Sequence, residues 1–464
     1  MRLNFFNFKK YDNDSFLLTN DFGQYLFLDR DEFKTTISGE LSADSELGKK
    51  LLLSKMAYEG TNLAFLNNNS HILLETKRYA ATATSLHIFV VTTSCNLNCV
   101  YCQANNGITC PGTFMNCETA EKAVDIALQS PERNLTFEFQ GGEPLLNFEV
   151  IKRIVEYAET NKGNHHISYS IVSNLTMLTE EVLDYLINMN FGISTSIDGS
   201  QIVHDTNRPF KTGTGSFQKV SDSLKKIHDK GVYIGAIQTT TRKALSNAKE
   251  IVSTYVAMGF KSIFLRPLTP LGKALSSWNN IGYTPEEFLD FYKVAMDEII
   301  QINKKGIYLR EEHATIFLRK IMGEGINYME LRSPCGGGVG QIAYYADGRI
   351  FTCDEGRMLA EMGDSTFYLG DVHKNSYKEL IVNKTCKTVC VASVLESIPS
   401  CCDCVYQPYC GVCPVVNYAI YQDVIEKEPR SYRCRIYSGI LDYIFTLLNN
   451  NETETIAILD SWRK

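Results

Sequence analysis

LHIFVVTTSCNLNCVYC, residues 86–102, joins an apolar, strand-like stretch to a loop with three cysteines. Cys95, Cys99 and Cys102 are spaced C-x3-C-x2-C, and Tyr101 directly precedes the last of them. Three thiolates on one short loop can bind three irons of a cubane iron–sulfur cluster and leave the fourth iron without a protein ligand. The stretch therefore predicts a cluster with one open iron at the end of a strand.

Two simpler interpretations remain for the three cysteines taken alone. They could form part of a zinc site, although no fourth Cys or His follows at a zinc-finger spacing. They could also be buried thiols without a metal, since free cysteine is often buried in folded proteins. The choice between these interpretations depends on the rest of the chain.

The composition is that of a globular protein. Hydrophobic residues make up 44% of the 464 residues and charged residues 21%, and a chain of this length is expected to form two or three domains. The net charge of −7 argues against a nucleic-acid partner bound by neutralisation of its phosphates. No apolar run reaches membrane-spanning length and no signal peptide is evident, so we expect no membrane association and a cytoplasmic location.

The 15 cysteines are distributed unevenly along the chain. Five lie between Cys95 and Cys117, none between there and Cys335, and ten from Cys335 to Cys434. In a cytoplasmic protein such cysteines are expected to be metal ligands or thiols rather than a disulfide framework. Two metal-rich regions therefore flank a middle region without cysteine.

The middle of the chain alternates strand-like and helix-like segments, which indicates parallel strands joined by crossover helices. Six such units are too few for a closed eight-stranded barrel, so we expect an α/β fold with a partial (β/α)6 barrel; a doubly wound sheet is the alternative. The predicted strands are Leu86–Val91, Leu135–Phe139, Ile167–Val172, Gly192–Ser196, Tyr233–Gln238 and Ser262–Leu265.

We predict five segments along the chain. They are a small α+β module (1–84), the partial barrel (85–310), a linking helix (311–328), a cysteine-rich domain (329–440) and a C-terminal helix or tail (441–464). The cysteine-rich segment has few periodic apolar runs, so bound metals would substitute for a hydrophobic core.

Polar residues and glycines follow several of the predicted strands. They are Gln140, Gly141, Gly142, Glu143, Ser173, Asn174, Ser196 and Asp198, and Arg208 lies beyond them. Adjacent glycines allow a close approach to the backbone, and Glu143 can accept a hydrogen bond from an ammonium group. Each feature alone is typical of a turn, a cap or a solvated arginine. Strand ends of an α/β barrel meet at one edge, however, and active sites lie there.

Together with the three cysteines, these motifs resemble those of the radical S-adenosylmethionine (SAM) enzymes. The resemblance implies that Cys95, Cys99 and Cys102 ligate a [4Fe–4S] cluster whose open iron chelates SAM. It also implies that reductive cleavage of SAM gives a 5′-deoxyadenosyl radical, which abstracts a hydrogen atom from the substrate. The residues implied to contact SAM are Tyr101, Gln140, Gly141, Gly142, Glu143, Ser173, Asn174, Ser196, Asp198, Arg208 and Leu265. Tyr101 would lie beside the adenine and Arg208 would pair with the cofactor's carboxylate.

The later cysteines resemble the SPASM domain, an extension of radical SAM enzymes that modify peptides and proteins. The resemblance implies two auxiliary [4Fe–4S] clusters, with zinc as the alternative. One would be ligated by Cys401, Cys404, Cys410 and Cys434, and the other by Cys335, Cys353 and Cys413. The second group lacks a cysteine that the pattern normally supplies. Either that cluster has an open iron or another residue completes it, for which Cys386 and Cys390 are candidates.

Asp354 directly follows Cys353. In the similar sulfatase-maturating SPASM enzymes, an Asp at this place acts as a base toward the substrate side chain. The resemblance therefore makes Asp354 a candidate catalytic base, and a surface or helix-capping Asp is the alternative.

Longer stretches resemble the His-Xaa-Ser system radical SAM maturases. They are residues 85–92, 139–147, 194–199, 207–209, 265–268 and 354–360. The resemblance implies a ribosomal precursor peptide as the substrate, modified by an oxidative cross-link or by a change in a side chain or the backbone. It also implies a second radical SAM protein as a partner and a reductant such as ferredoxin or flavodoxin.

Two other functions remain open. The chain could be a sulfatase-type maturase that forms formylglycine, or a cluster-bearing electron-transfer or scaffold subunit of a paired radical SAM complex. Residues 1–84 resemble, weakly, the peptide-binding winged-helix modules fused to peptide-modifying enzymes, and a purely structural extension is the alternative.

Overall fold

A computed structural model describes residues 1–39, 41–104, 112–323, 331–425 and 431–463. Its strands, numbered in chain order, are β1 (Arg2–Leu3), β2 (Asn7–Lys10), β3 (Phe16–Thr19), β4 (Tyr25–Leu28), β5 (Ala57–Tyr58), β6 (Leu86–Thr92), β7 (Asn134–Gly141), β8 (His166–Val172), β9 (Gly192–Ser196), β10 (Gly235–Thr239), β11 (Ser262–Arg266), β12 (Arg310–Glu311), β13 (Gln341–Tyr344), β14 (Arg349–Phe351) and β15 (Tyr368–Asp371).

The helices, numbered in the same way, are α1 (Arg30–Ser38), α2 (Glu46–Leu53), α3 (Asn62–Thr76), α4 (Cys117–Ala127), α5 (Phe148–Asn161), α6 (Glu180–Asn188), α7 (Gln201–Asn207), α8 (Phe217–Asp229), α9 (Ala248–Ala257), α10 (Lys273–Ser276), α11 (Trp278–Ile281), α12 (Pro285–Lys304), α13 (Glu312–Ile321), α14 (Asp354–Glu361), α15 (Tyr377–Ile381), α16 (Lys384–Val391), α17 (Pro414–Tyr421), α18 (Tyr432–Asn450) and α19 (Thr453–Arg463). In the described parts of the chain, none of them is both long and apolar enough to cross a bilayer.

Ten strands form the main sheet, in the order β12-β11-β10-β9-β8-β7-β6-β13-β14-β15. Strands β6 to β11 are parallel neighbours in chain order, with helices in their connections. A doubly wound sheet would reverse its strand order at a switch point, and no reversal occurs among these six strands. The predicted partial (β/α)6 barrel is therefore confirmed.

The sheet also extends beyond the six predicted strands. β12 adds to one edge in parallel, and β13, from the cysteine-rich region, pairs in parallel with β6 at the other edge. β14 and β15 continue this edge as antiparallel strands. The main sheet thus includes residues from three predicted segments, the partial barrel (85–310), the linking helix (311–328) and the cysteine-rich domain (329–440). Composition shows where cysteines become dense, but it does not show which strands pair.

Strand β7 shows how the sequence fills the two faces of the sheet. Phe137 and Phe139 are fully buried, in the same apolar cluster as side chains of α4 and α5. Glu138 and Gln140 alternate with them and are only partly buried, because successive side chains of a strand point to opposite faces. They point to the inside of the partial barrel.

The N-terminal residues form a small α+β module. Strands β2, β3 and β4 make an antiparallel sheet, and β1 pairs with β5. The module has its own apolar core, which includes Leu18, Leu28, Phe33, Leu51 and Met56. At the other end of the chain, α18 packs on α12 and α13, and α19 packs on the same two helices.

Candidate active site

The cysteines that follow β6 are held on one side by the end of β7. The main-chain amide of Gly142 donates to the carbonyl oxygen of Thr92 at 2.8 Å. A Cβ atom on Gly142 would lie 2.2 Å from the carbonyl oxygen of Ser94, and one on Gly141 would lie 2.3 Å from that of Thr92. These two glycines therefore allow the end of β7 to lie against the backbone that leads into the cysteines. The motif alone did not indicate this contact.

Two distant segments hold the other side of this cysteine loop (residues 93–104). The main-chain amide of Val100 donates to the carbonyl oxygen of Asn207 at 2.9 Å. Gly272, with a φ of +55°, lies so close that a Cβ atom there would be 2.5 Å from the carbonyl oxygen of Cys102. Sequence reasoning missed Gly272, because only the folded barrel brings the connection after β11 to the cysteine loop.

Burial controls the protonation of the three thiols. It raises the pKa of Cys95 to about 11 and that of Cys99 to about 12, whereas the positive charge of Arg208 lowers both. Burial raises the pKa of Cys102 as well. A metal binds the thiolate form and releases the proton. The loop thus offers three sulfur ligands for a metal cluster, next to the largely buried guanidinium of Arg208.

Arg208, Tyr101 and Asp198 come together next to the cysteine loop. The Tyr101 hydroxyl donates to the two carboxylate oxygens of Asp198 at 2.9 and 2.7 Å and accepts from Nη1 of Arg208 at 2.7 Å. Nη1 of Arg208 lies 4.0 Å from Oδ1 of Asp198. Burial raises the pKa of Asp198, and Arg208 and the Tyr101 hydroxyl act against this shift. The three residues form one buried hydrogen-bonded unit, which orients the guanidinium.

Glu143 joins the ends of the second and third barrel strands. Its Oε1 accepts from the Ser173 hydroxyl at 2.7 Å and from the amide of Leu145 at 3.1 Å, and its Oε2 accepts from the amide of Asn174 at 2.8 Å. The Asn174 side chain in turn points at Sγ of Cys95, at 3.8 Å. Burial raises the pKa of Glu143, and the hydrogen bonds from Ser173 and Asn174 oppose this. The motif residues therefore brace one another as well as the loop.

The inside of the barrel carries charge. Nε2 of Gln140 donates to Oε1 of Glu138 at 2.5 Å. Ser196, at the end of β9 two strands away, is partly buried. Burial raises the pKa of Glu138; the negative charge of Asp354 adds to this shift and the positive charge of Arg266 opposes it. Sequence reasoning missed Glu138 and Arg266. The alternation of Glu138 with Gln140 along β7 was the signal that could have found the former.

Asp354 reaches the same region from the cysteine-rich segment. It is the first residue of α14, and its Oδ1 accepts from Nε of Arg357, one turn later, at 2.7 Å. The Arg357 side chain is 2% exposed. A carboxylate that is hydrogen-bonded to a buried guanidinium has a fixed position. Asp354 is therefore the first residue of a helix, directly after its N-cap Cys353, and also a component of the charged interior.

The side chain of Leu265 does not point to the candidate site. That side chain is fully buried in the main core, and its main-chain amide donates to Oε1 of Glu311 at 3.2 Å. The alternation along β11 points Phe264 and Arg266 the other way. Any contact of Leu265 with a bound cofactor would have to come from its main chain.

The first group of C-terminal cysteines surrounds a cavity of about 260 Å³. Cys434 comes from the first turn of α18, and the other members come from residues 401–410, which precede α17. The cysteines that line this cavity are Cys401, Cys404, Cys410 and Cys434. The structure therefore brings together all four residues of the predicted set.

The second group also comes together, in a buried apolar cluster with Leu271 and Val389. Its members are Cys335, Cys353 and Cys413. Cys386 and Cys390 lie one turn apart on α16 and hydrogen-bond to each other. Cys386 belongs to the main core rather than to this cluster.

The donor sets suit iron–sulfur clusters. Within the described ranges, no three His, Cys, Asp or Glu side chains converge as the ligands of one metal ion would. A cubane cluster presents a separate iron to each thiolate, so its ligands surround a cavity rather than a single point. The four-cysteine cavity near α18 has this arrangement, and the three-cysteine loop leaves one corner of a cubane for a small ligand.

Comparison with known proteins adds independent findings. Residues 89–242 match the Radical SAM superfamily. An uncharacterised protein of Methanocaldococcus jannaschii is 31% identical over 242 residues, which are 50% of this chain and 83% of that protein. A cysteine-type anaerobic sulfatase-maturating enzyme of Clostridium perfringens (strain 13 / Type A) is 25% identical over 387 residues, which are 79% of this chain and 97% of that enzyme.

Solved structures share the fold. Native anSMEcpe with bound AdoMet superposes with a TM-score of 0.69 at 21% identity, over 82% of this chain and 99% of that chain. SuiB of Streptococcus suis bound to its precursor peptide SuiA superposes with a TM-score of 0.53 at 14% identity, over 92% of this chain and 98% of that chain. With the family match, the partial barrel and the cysteine loop at its strand ends, the chain belongs to the radical SAM superfamily.

Proposed function

We propose that this radical SAM enzyme modifies a ribosomal peptide or protein after its translation. The observation that carries the proposal is the position of α14, which brings Asp354 from the cysteine-rich segment to the charged inside of the barrel near Glu138. The similarity to a sulfatase-maturating enzyme and to SuiB, which was solved with a precursor peptide, supports a peptide or protein substrate.

Cys95, Cys99 and Cys102 would hold the [4Fe–4S] cluster, and SAM would lie among the strand-end residues. When bound, the clusters and SAM supply a carbon-centred radical that takes a hydrogen atom from the substrate and an acceptor for the electron left behind. The protein contributes binding, orientation and a dry site.

Arg208 and Glu143 would fix the two charged ends of an amino acid. The guanidinium of Arg208, oriented by Tyr101, can bind a carboxylate with two hydrogen bonds. Glu143 already accepts three hydrogen bonds, and an ionised carboxylate has about four acceptor positions. One position therefore remains for an ammonium group.

Asp354 would accept the proton that an oxidation releases. A substrate side chain that loses a hydrogen atom and an electron must also lose a proton to reach a neutral product. Asp354 is held by Arg357 at a fixed place beside the barrel interior, and its negative charge helps to raise the pKa of Glu138, a second carboxylate. The two carboxylates differ in their partners, since Asp354 is ion-paired to the buried Arg357 and Glu138 accepts a hydrogen bond from the Gln140 side chain.

Asp354→Asn tests this role. We expect product formation to fall by about 100-fold or more, the usual contribution of a positioned base, while 5′-deoxyadenosine still forms from SAM. Both products can be quantified by mass spectrometry after anaerobic incubation with dithionite. Asp364→Asn, which changes a partly buried Asp beyond the same helix, should leave both yields unchanged. Full product formation by the Asp354 variant would assign the base elsewhere, with Glu138→Gln as the next variant to measure.

The function itself is tested with the reconstituted full chain, SAM, dithionite and candidate peptides. A cross-link removes two hydrogen atoms from the peptide and shows new connectivity on fragmentation. The absence of 5′-deoxyadenosine, with and without peptide, would instead favour a cluster-bearing subunit whose partner performs catalysis.

Formation of formylglycine is the second candidate function. The similarity that spans 97% of a sulfatase-maturating enzyme favours it. Oxidation of Ser to formylglycine also removes two hydrogen atoms, so fragmentation and an aldehyde-reactive probe are needed to separate it from a cross-link. Labelling by the aldehyde probe at a single Ser or Cys of the peptide would identify this activity.

The predicted partners follow from the same proposal. A low-potential protein such as ferredoxin or flavodoxin would supply the electron, and a second radical SAM protein of a His-Xaa-Ser system would act beside this one. Replacement of dithionite by reduced ferredoxin or flavodoxin, and co-purification with the second protein, test these two predictions separately.

A further inference from the structure

His204 is a fully buried histidine of α7, the helix that lies between Asp198 and Arg208 in the chain. Its ring packs edge-on against the ring of Phe217, with 5.6 Å between the two centroids. Buried polar atoms need hydrogen-bond partners, so the partners of the two ring nitrogens indicate what a buried histidine holds in place. Both nitrogens of His204 lead to residues of the candidate SAM site.

The first ring nitrogen binds the main chain of Asp198. Nδ1 of His204 accepts from the amide of Asp198 at 3.4 Å, and a ring nitrogen that accepts carries no hydrogen. Burial, with a smaller effect of the positive charge of Arg208, lowers the pKa of His204 to about 3. The ring is therefore neutral at ordinary pH, and its single hydrogen is on Nε2.

The second ring nitrogen acts on Arg208 through a serine. Nε2 of His204 lies 3.1 Å from the hydroxyl of Ser216 and donates to it, and that hydroxyl donates to the carbonyl oxygen of Arg208 at 2.5 Å. Ser216 is the N-cap residue of α8, where a serine ordinarily accepts from an amide of the first turn. Oδ1 of Asp205 accepts from the Phe217 amide instead, at 2.8 Å. The Ser216 hydroxyl is therefore directed to Arg208 rather than to the helix.

One imidazole thus joins the two backbones that carry the side chains of Asp198 and Arg208. The hydrogen bonds run from the Asp198 amide to the His204 ring, from the ring to the Ser216 hydroxyl, and from the hydroxyl to the Arg208 carbonyl oxygen. The Tyr101 hydroxyl joins the same two residues through their side chains. The arginine is therefore fixed at its main chain and at its guanidinium, and two-point binding of a planar carboxylate depends on such fixed geometry.

We propose that His204 is a positioning residue for the carboxylate of SAM, because its ring sets the separation of the Asp198 and Arg208 backbones through the Ser216 hydroxyl. The inference rests on the proposed binding of that carboxylate by Arg208. His204 itself would not contact SAM. Loss of either of its hydrogen bonds would let one of the two backbones shift, so the guanidinium would meet the carboxylate less well and SAM would bind more weakly.

A double-mutant cycle tests whether these hydrogen bonds act through Arg208. In the reconstituted full chain, we expect Ser216→Ala to weaken equilibrium binding of SAM by about three- to tenfold, the usual effect of one lost hydrogen bond. Arg208→Gln should weaken binding more than this. Added to Arg208→Gln, Ser216→Ala should have no further effect, because the two residues act as one unit. Ser221→Ala is the matched control, since the Ser221 hydroxyl donates to the Phe217 carbonyl oxygen within α8, and it should keep the parent affinity.

Two His204 variants add a measurement that is made without SAM. His204→Phe keeps an aromatic ring and removes both hydrogen bonds, whereas His204→Gln keeps a side-chain amide that can donate to Ser216. We expect faster hydrogen exchange of the Asp198 amide in both variants, measured by mass spectrometry on the reconstituted chain. The affinity for SAM should fall in His204→Phe and should be largely retained in His204→Gln.

The outcomes separate the role of His204 from that of Arg208. An unchanged SAM affinity after Ser216→Ala, or the same loss on adding Ser216→Ala to the parent and to Arg208→Gln, would overturn the role of His204 and leave that of Arg208 in place. Exchange of the Asp198 amide at the parent rate in both His204 variants, or equal SAM affinities of these variants, would do the same. An unchanged affinity after Arg208→Gln would overturn the proposed role of Arg208 and the inference with it.

Discussion

The orientation of Arg208 depends on the Tyr101 hydroxyl, which accepts a hydrogen bond from the Arg208 guanidinium. Tyr101→Phe removes the hydroxyl that bridges Arg208 and Asp198 but keeps the aromatic ring. A hydrogen bond to a charged group contributes about 1.5–3 kcal/mol, so we expect the affinity for SAM to fall by about tenfold or more. The iron content should not change, because the three cysteines are untouched.

Equilibrium binding of SAM to the reconstituted protein measures this effect under anaerobic conditions. Tyr157→Phe is the matched control, because the Tyr157 hydroxyl also donates to an Asp carboxylate, that of Asp125 at 2.9 Å, but lies on helices outside the barrel. Equal affinities of the Tyr101 variant and the parent would show that Arg208 does not depend on this hydroxyl.

Single residues were predictable where spacing along the chain carries the chemistry. Cys95, Asp198 and Arg208 lie within or just after short motifs, and the structure brings them together. Glu138 was missed because its role depends on the face of β7 to which it points. Gly272 was missed because only tertiary contact gives it a role.

The turn after β7 positions the cysteine loop through the backbone. Gly142→Ala would place a Cβ atom 2.2 Å from the carbonyl oxygen of Ser94, so the loop must move. Overpacking of this kind costs about 1–3 kcal/mol. We expect a lower iron content after reconstitution and a slower formation of 5′-deoxyadenosine, because the three thiols no longer share one geometry.

Gly192→Ala is the control for this prediction. Gly192 lies at the start of β9, where the nearest atom to an added Cβ would be 3.6 Å away, an ordinary contact. Iron content and 5′-deoxyadenosine formation should match those of the parent. Normal values in the Gly142 variant would show that the loop tolerates a shift of its backbone.

Regular elements were predicted well where they are long and periodic. The six predicted strands correspond to β6–β11 within a few residues. Strand β12 has only two residues, too few to show a period, and its place at one edge of the barrel sheet is a property of the folded chain. The pairing of β13 with β6 at the other edge likewise joins segments that are far apart in the sequence.

Glu311 couples the stability of the whole molecule to pH. Burial raises its pKa to about 7, against hydrogen bonds from the Tyr292 hydroxyl and the amides of Ala314 and Leu265. The folded chain therefore binds a proton that the unfolded chain releases near its ordinary value of 4.5. The resulting stabilisation is complete below about pH 4.5 and is lost as the pH rises through about 7.

Chemical denaturation between pH 4.5 and 7.5 measures this dependence. We expect Glu311→Gln to reduce the fall in the free energy of unfolding across this range by a few kcal/mol, since each unit of pKa shift corresponds to about 1.4 kcal/mol. Tyr292→Phe should extend the fall to higher pH, because it removes a donor that stabilises the carboxylate. The same pH slope in the parent and the Gln variant would contradict the prediction.

The N-terminal module is bound to the loop that carries the first C-terminal cysteine group. The Thr19 hydroxyl, on a fully buried residue, donates to the carbonyl oxygen of Val405 at 2.7 Å. The Asn7 side chain donates to the carbonyl oxygens of Cys402 and Cys404 at 3.3 and 3.2 Å. The N-terminal module and the C-terminal cysteine region, far apart in sequence, therefore stabilise one candidate cluster site together.

Thr19→Val tests this coupling, because it keeps the shape of the side chain and leaves the Val405 carbonyl without its buried donor. The cost of such an unsatisfied group is about 1–3 kcal/mol. We expect a free energy of unfolding lower by this amount and a faster loss of iron to a chelator. Thr35→Val, at an exposed threonine whose hydroxyl bonds within α1, should change neither quantity. If the Thr19 variant loses stability but keeps its iron as long as the parent does, the module supports the fold and not the cluster loop.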